Sequence, residues 1–289
     1  MRLHLCYNLS AGRMESIALS DNTVAESVSH FPIERGALYI ADAGYGKGKQ
    51  LLHITQQRAD ALFRVTPNHL KLAEDGSGRG IINMSEKLDT SANLLDFKCF
   101  VHTENGNYSP VRIIASRMPE EKALPAKKRK LRKSSKNQSQ IREETLVYAQ
   151  WVILMTSLPD QYTAKELLEI YRARWQIELL FKRIKQSLNV TKLRPASLEH
   201  SKVSVLVMLI LWAITEQHVF TTEMLLLEKA TDMSRLSTWA TSSFAFQKLK
   251  STLAAIMSIL IDFDDYHALL RLLDHRSSRL NLRSAVRFG

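Results

Sequence analysis

Hydrophobic and polar positions alternate at the start of the chain. Leu3, Leu5, Tyr7 and Leu9 fall on one face, which predicts a half-buried strand. Ala11-Gly12-Arg13 reads as a turn and Met14 to Leu19 as a second strand, so the chain opens on a β-hairpin. Ser20-Asp21-Asn22-Thr23 carries the signals of a helix cap, with a short helix running to His30. The pattern then changes. Ala37 to Ala41 is a continuous apolar run between Gly36 and Gly44, the form of a strand covered on both faces.

From His53 to Thr145 the rhythm is different again. Short candidate strands, Ala61 to Thr66, Phe97 to Thr103 and Val111 to Ser116, alternate with turns rich in Gly, Asn, Asp and Ser. This predicts a separate, mainly β insertion lobe. It closes on a basic run: eight of the fifteen residues from Lys122 to Lys136 are Lys or Arg and none is acidic, as suits either a solvated loop or an ordered nucleic-acid contact. Trp151 to Thr156 returns to the buried-strand form. Pro159 follows, then a long helical pattern from Ala164 to Leu188, and the chain reads as helical from Val203 towards its end. The predicted organisation is a core in two parts, residues 1–52 and 147–220, interrupted by the insertion 53–146 and followed by a helical region 221–289.

Charge narrows the partners. The 289 residues carry a formal net charge of +11, which suits a polyanion such as nucleic acid and also an anionic membrane surface. The most apolar run, Val203 to Ile214, is too short to span a bilayer, so no membrane span is expected. Cys6 and Cys99 form no metal-type spacing, and a reducing cytoplasm fits them.

Two acidic residues stand out by position. Asp42 follows the buried strand in Ile40-Ala41-Asp42-Ala43-Gly44-Tyr45. It is either an ordinary strand terminator before Gly or a carboxylate at the sheet edge where open α/β sheets place their sites. Glu178 lies within the predicted helix. At the helical angle, Tyr171, Arg174, Glu178 and Lys185 share a stripe about 60° wide. That stripe is either an ion-paired solvent face or a set built for phosphate chemistry, because two-metal phosphodiester cleavage needs carboxylates flanked by phosphate-binding cations.

The spacing of Tyr171, Arg174, Glu178 and Lys185, Y-x2-R-x3-E-x6-K, resembles that of the DDE transposases of insertion-sequence family four. Asp42-Ala43-Gly44-Tyr45 is similar to the family's D-x-G-Y, and Leu62 to Asn68 is similar to the start of its β-rich insertion. The resemblance covers roughly residues 2–215. It implies a ribonuclease-H-like mixed sheet, an α/β core, and an enzyme that cuts and rejoins double-stranded DNA at transposon ends and in target DNA. It implies Asp42 and Glu178 as catalytic carboxylates holding Mg²⁺ or Mn²⁺, two ions in the intact family site. Tyr171, Arg174 and Lys185 would grip phosphates. To these the basic run adds Lys127, Lys128, Arg129 and Lys130 as DNA contacts, and a homodimer is compatible.

One departure shapes the expectation. In the family the first catalytic aspartate lies on a strand just before the hairpin that opens this chain, and Asp21 is misplaced to replace it. The expectation is an N-terminally truncated transposase that does not transpose as it stands. The competing readings are a DNA-binding remnant without catalysis and a ribonuclease-H-like nuclease without strand transfer. Asp42 and Glu178 should face each other across a cleft.

Overall fold

A computed structural model describes residues 2–187, apart from 12, 22 and 139, and most of 202–214. The expected helical region 221–289 lies outside the described residues. The chain divides into two compact units, Met1–His4 with Ile17–Arg174, and Leu5–Ser16 with Trp175–Gly289.

The hairpin forms as its alternation predicts: β1 (Arg2–Asn8) and β2 (Arg13–Ser20) make a two-stranded sheet. The helix expected up to His30 does not. Only a 3-10 turn, Val28–His30, closes there, under the side chain of Ser27.

The first unit is built on one six-stranded sheet. Its strands are β3 (Leu38–Ala41), β4 (Asp60–Arg64), β5 (Leu72–Ala73), β6 (Leu94–His102), β7 (Tyr108–Arg117) and β8 (Trp151–Thr156). The order is β3-β4-β8-β7-β6-β5. β3 and β4 are parallel and every other pairing is antiparallel, giving the mixed α/β sheet expected of a ribonuclease-H-like core. Among the described residues β3 pairs only with β4.

This sheet corrects the expectation of a separate β lobe. The strands of 53–146 do not form a sheet of their own; β4 to β7 are hydrogen-bonded into the sheet that holds β3 and β8. The reason is visible in burial. Ala61, Leu62 and Phe63 on β4, and Ile113, Ile114 and Ala115 on β7, are all fully buried. Strands apolar on both faces need cover on both faces, and the centre of a sheet between two layers supplies it. One face carries a core containing Leu51, Ile54, Phe63, Ile113 and Met155. The other packs Leu62, Ile114 and Leu154 against Leu167 and Tyr171.

The first of these layers includes α1 (Gly48–Gln56), α2 (Met84–Leu88) and α4 (Glu143–Tyr148). The basic run is no loop: it lies in α3 (Glu120–Lys136). Lys, Arg, Leu and Ala are strong helix formers. Glu120 and Glu121 in the first turn, and Lys133 and Lys136 in the last, complement the helix dipole. The single helix expected over Ala164 to Leu188 is two, α5 (Ala164–Arg172) and α6 (Trp175–Ser187). At the join, the N–H groups of Ala173 and Arg174 bond three residues back, to Ile170 and Tyr171, in 3-10 fashion.

Two glycines let the β3–α1 turn lie against the sheet. A Cβ on Gly46 would sit 2.3 Å from the carbonyl oxygen of Arg64, and one on Gly48 would sit 2.1 Å from that of His102. Backbone cannot yield as a side chain can, so Gly46→Ala and Gly48→Ala should each lower stability by about 1–3 kcal/mol. Gly44→Ala meets side-chain ends, the flexible Glu26 carboxylate and Asp42 Oδ1, rather than backbone, and should cost less. Urea denaturation of the three variants gives the ranking, and equal costs would count against the packing described here.

Candidate active site at the carboxyl edge of β3 and β4

The parallel register of β3 and β4 ends with Ala41 beside Phe63, so the next residues in step are Asp42 and Arg64. Side chains alternate along a strand, and Asp42 and Arg64 therefore share the face of Ile40 and Leu62. That face packs on α5, with Leu167 and Tyr171 in the same cluster. Asp42 and Arg64 thus stand at the carboxyl edge of the sheet, on the face that packs on α5.

Asp42 is exposed, and its Oδ1 accepts the N–H of Gly44 at 3.0 Å, which holds the carboxylate over the turn. Glu26 stands over the same turn. A Cβ on Gly44 would lie 1.8 Å from Glu26 Oε2 and 3.3 Å from Asp42 Oδ1, so the missing side chain at Gly44 lets two carboxylates approach one point.

Tyr171 is 8% exposed. Burial pushes its phenol above the ordinary value; Arg174 and Arg64 pull it down, and Asp42 raises it further. Asp42, Arg64 and Arg174 thus all lie close enough to Tyr171 to act on its phenol. The guanidinium carbon of Arg174 lies 5.5 Å from the Tyr171 ring centroid. With its pKa raised, Tyr171 remains a neutral hydroxyl and hydrogen-bond donor at physiological pH.

The approach to α5 is fixed by local chemistry. Thr163 caps the helix in a reciprocal box with Glu166: its hydroxyl oxygen accepts the Glu166 N–H while the Glu166 carboxylate accepts the Thr163 N–H. Just upstream, the buried Arg112 guanidinium donates to the carbonyl oxygens of Pro159 and Tyr162. The two anchors together leave Tyr171 and Arg174 little freedom over the strand ends.

The structure thus gathers Asp42, Tyr171 and Arg174 from the sequence-based set. Glu178 is exposed in the first turn of α6, in the second unit. Lys185 is in α6, but its side chain is outside the described residues. Lys127, Lys128, Arg129 and Lys130 lie on α3, with Lys127 half-buried and the other three exposed. Sequence reasoning missed Arg64 and Glu26. Arg64 ends a short apolar run and could have been found once β3 and β4 were paired in register; Glu26 sits in irregular backbone, with no local pattern to mark it.

The comparisons with known proteins give the family. The family model described as transposase DDE domain matches residues 1–214. The chain belongs to the transposase DDE domain family. It is 33% identical over 207 residues to the Escherichia coli K12 protein InsL of insertion sequence element IS186A, and equally to the transposase for insertion sequence element IS421 of Escherichia coli. Each match covers 70% of this chain and 56% of the relative, so the chain spans about half the length of the curated relatives it matches. As a member of this family it is an enzyme by family.

Proposed function

We propose that this chain is the catalytic part of an insertion-sequence transposase that cleaves and transfers DNA strands, with Asp42 and Glu178 as the metal-holding carboxylates. The observation that carries the reading is the juxtaposition of Asp42 with Arg64, Tyr171 and Arg174 at one sheet edge. A carboxylate flanked by cations and a neutral phenol suits a phosphodiester: it places oxygen ligands for a cation beside donors for phosphate oxygens.

The donor chemistry fits the family's metal. Mg²⁺ and Mn²⁺ prefer carboxylate oxygens, and Asp42 keeps its carboxylate exposed at the strand end. Among the described residues no group of three His, Cys, Asp or Glu side chains forms a complete cage. When bound, a divalent ion supplies Lewis-acid activation of the attacking water or 3′-hydroxyl. The protein's own groups do the rest. Arg64 and Arg174 clamp non-bridging phosphate oxygens through their forks, Tyr171 donates its hydroxyl to the same phosphate, and Lys185 adds a point charge. Held in this way, the scissile phosphate is oriented before any bond changes.

No helix among the described residues is long and apolar enough to cross a membrane. Action on cytoplasmic DNA, as a homodimer, is part of the same proposal.

The test is binding of the chain to a duplex carrying the end of its own element, by fluorescence anisotropy across a salt series. Each phosphate contact contributes about 0.9 to the slope of log affinity on log salt, so Arg64→Ala and Arg174→Ala should each weaken binding about fivefold near physiological salt, and about 30-fold together. Unchanged affinity in the double variant would reject the phosphate assignment. Binding without cleavage by a protein with every carboxylate in place would favour a DNA-binding remnant, and cleavage without joining would favour a nuclease.

A further inference from the structure

We propose that α3 is a rail for the phosphate backbone of duplex DNA, bound by the face formed by Lys128, Arg129, Arg132, Lys133 and Lys136. This deepens the transposase reading and takes from it the identity of the polyanion.

The helix has a clear inside and outside. Ala123 is buried, and Lys127 and Ser134, on the same side of the helix, are half-buried. The five residues of the rail are all exposed. They recur at i, i+1, i+4, i+5 and i+8, which places them within an arc of about 140° opposite that buried side. The rail has no acidic residue: the only acids of α3, Glu120 and Glu121, are confined to its first turn. Lys127, a candidate on composition alone, is turned toward the protein.

The spacing of charge matches the partner. Five cations occupy about 12 Å of helix axis. Duplex DNA presents one phosphate charge per about 1.7 Å, or about seven over that length. A membrane surface is matched less well, because an interfacial helix needs a broad apolar face beneath its cations. The exposed apolar side chains of α3 are Leu124 and Leu131.

The topology puts the rail at the right edge. β4 and β7 are both antiparallel to β8, so their carboxyl ends point the same way. Arg64 pairs with Leu154, Leu154 pairs with Ile114, and β7 runs on to Arg117 before α3 begins at Glu120. α3 therefore leaves from the sheet edge that carries Asp42 and Arg64. Two strand spacings, about 10 Å, separate the lines of β4 and β7 there. A duplex gripped at Asp42 and Arg64 has the cationic helix beside its flanking backbone, where contact is made without reading bases.

The experiment uses the full 289-residue chain and a duplex of random sequence, so it needs neither the element's end nor cleavage. Lys128, Arg132 and Lys136 are replaced together by Gln, and the control replaces Lys71, Arg79 and Lys87 by Gln, removing equal charge elsewhere. Circular dichroism checks that α3 persists. Loss of three contacts should lower the salt slope by about 2.7 and the affinity at 0.15 M salt by about 100-fold. The control should keep the parent slope. Equal losses in both variants would overturn the proposal in favour of a diffuse charge effect. An unchanged α3 variant would overturn it too, and if Arg64→Ala with Arg174→Ala still weakened binding of the element's end, the transposase reading would stand without the rail. Failure of the chain to bind any duplex, with α3-dependent binding to phosphatidylserine vesicles instead, would replace DNA by a membrane surface.

Discussion

Arg112→Ala should destabilise the first unit by about 3 kcal/mol, among the largest costs of any single truncation here. Arg112 is buried, its side chain 7% exposed, and it uses both edges of its guanidinium. Nε and Nη2 donate to the two oxygens of Asp96 at 2.7 and 2.6 Å, and Nη1 donates to the carbonyls of Pro159 and Tyr162 at 3.1 and 2.7 Å. The hydrogen bonds that Arg112 donates to Asp96 raise its pKa, so the group is charged at every accessible pH. Removing it strands a carboxylate and two carbonyls at once. Asp96 is one-third exposed, and water there softens the loss below that of a fully buried pair. Arg112→Lys keeps the charge but not the fork, and should recover only part of the difference. Asp160, held below the usual carboxylate range by Lys98, closes the network from the far side. Because Pro159 and Tyr162 lead into α5, the variant should also loosen Tyr171 and Arg174. Denaturant unfolding checks this; a cost below about 1 kcal/mol would mean that water replaces the guanidinium without penalty.

What could be read from the sequence follows from what is local. β3 and β8 are short and covered on both faces, so they appear as unbroken apolar runs, and Asp42 follows one of them directly. The hairpin shows through its alternation. Sheet membership did not show, because pairing is set between residues far apart: nothing near Val111 to Ser116 says that Ile114 will lie beside Leu154. Arg64 was hidden for the same reason, since its place beside Asp42 exists only once β3 and β4 are in register. The charge of the basic run leaves loop and ordered contact open, while the propensities of Lys, Arg, Leu and Ala favour the helix found. The break between α5 and α6 has no Gly or Pro to announce it, and we have no physical account of it from local sequence.

The second large effect concerns the carboxylates. Two divalent ions held close together repel strongly, and they stay only where several carboxylates offset that repulsion. Asp42→Asn keeps the shape of the turn and its bond from Gly44, but removes the charge. Loss of a supporting partner around a metal ligand costs about 10–100-fold in metal affinity; loss of the ligand charge itself should cost more than about 100-fold. The direct measurement is Fe²⁺-directed cleavage of the purified chain with ascorbate and peroxide, in which radicals cut the backbone beside the bound ion. Cuts are expected near Asp42, suppressed by excess Mg²⁺ or Mn²⁺ and lost in Asp42→Asn. No cut near Asp42, or a pattern unaltered by Asp42→Asn, would contradict the assignment of Asp42 as a metal ligand.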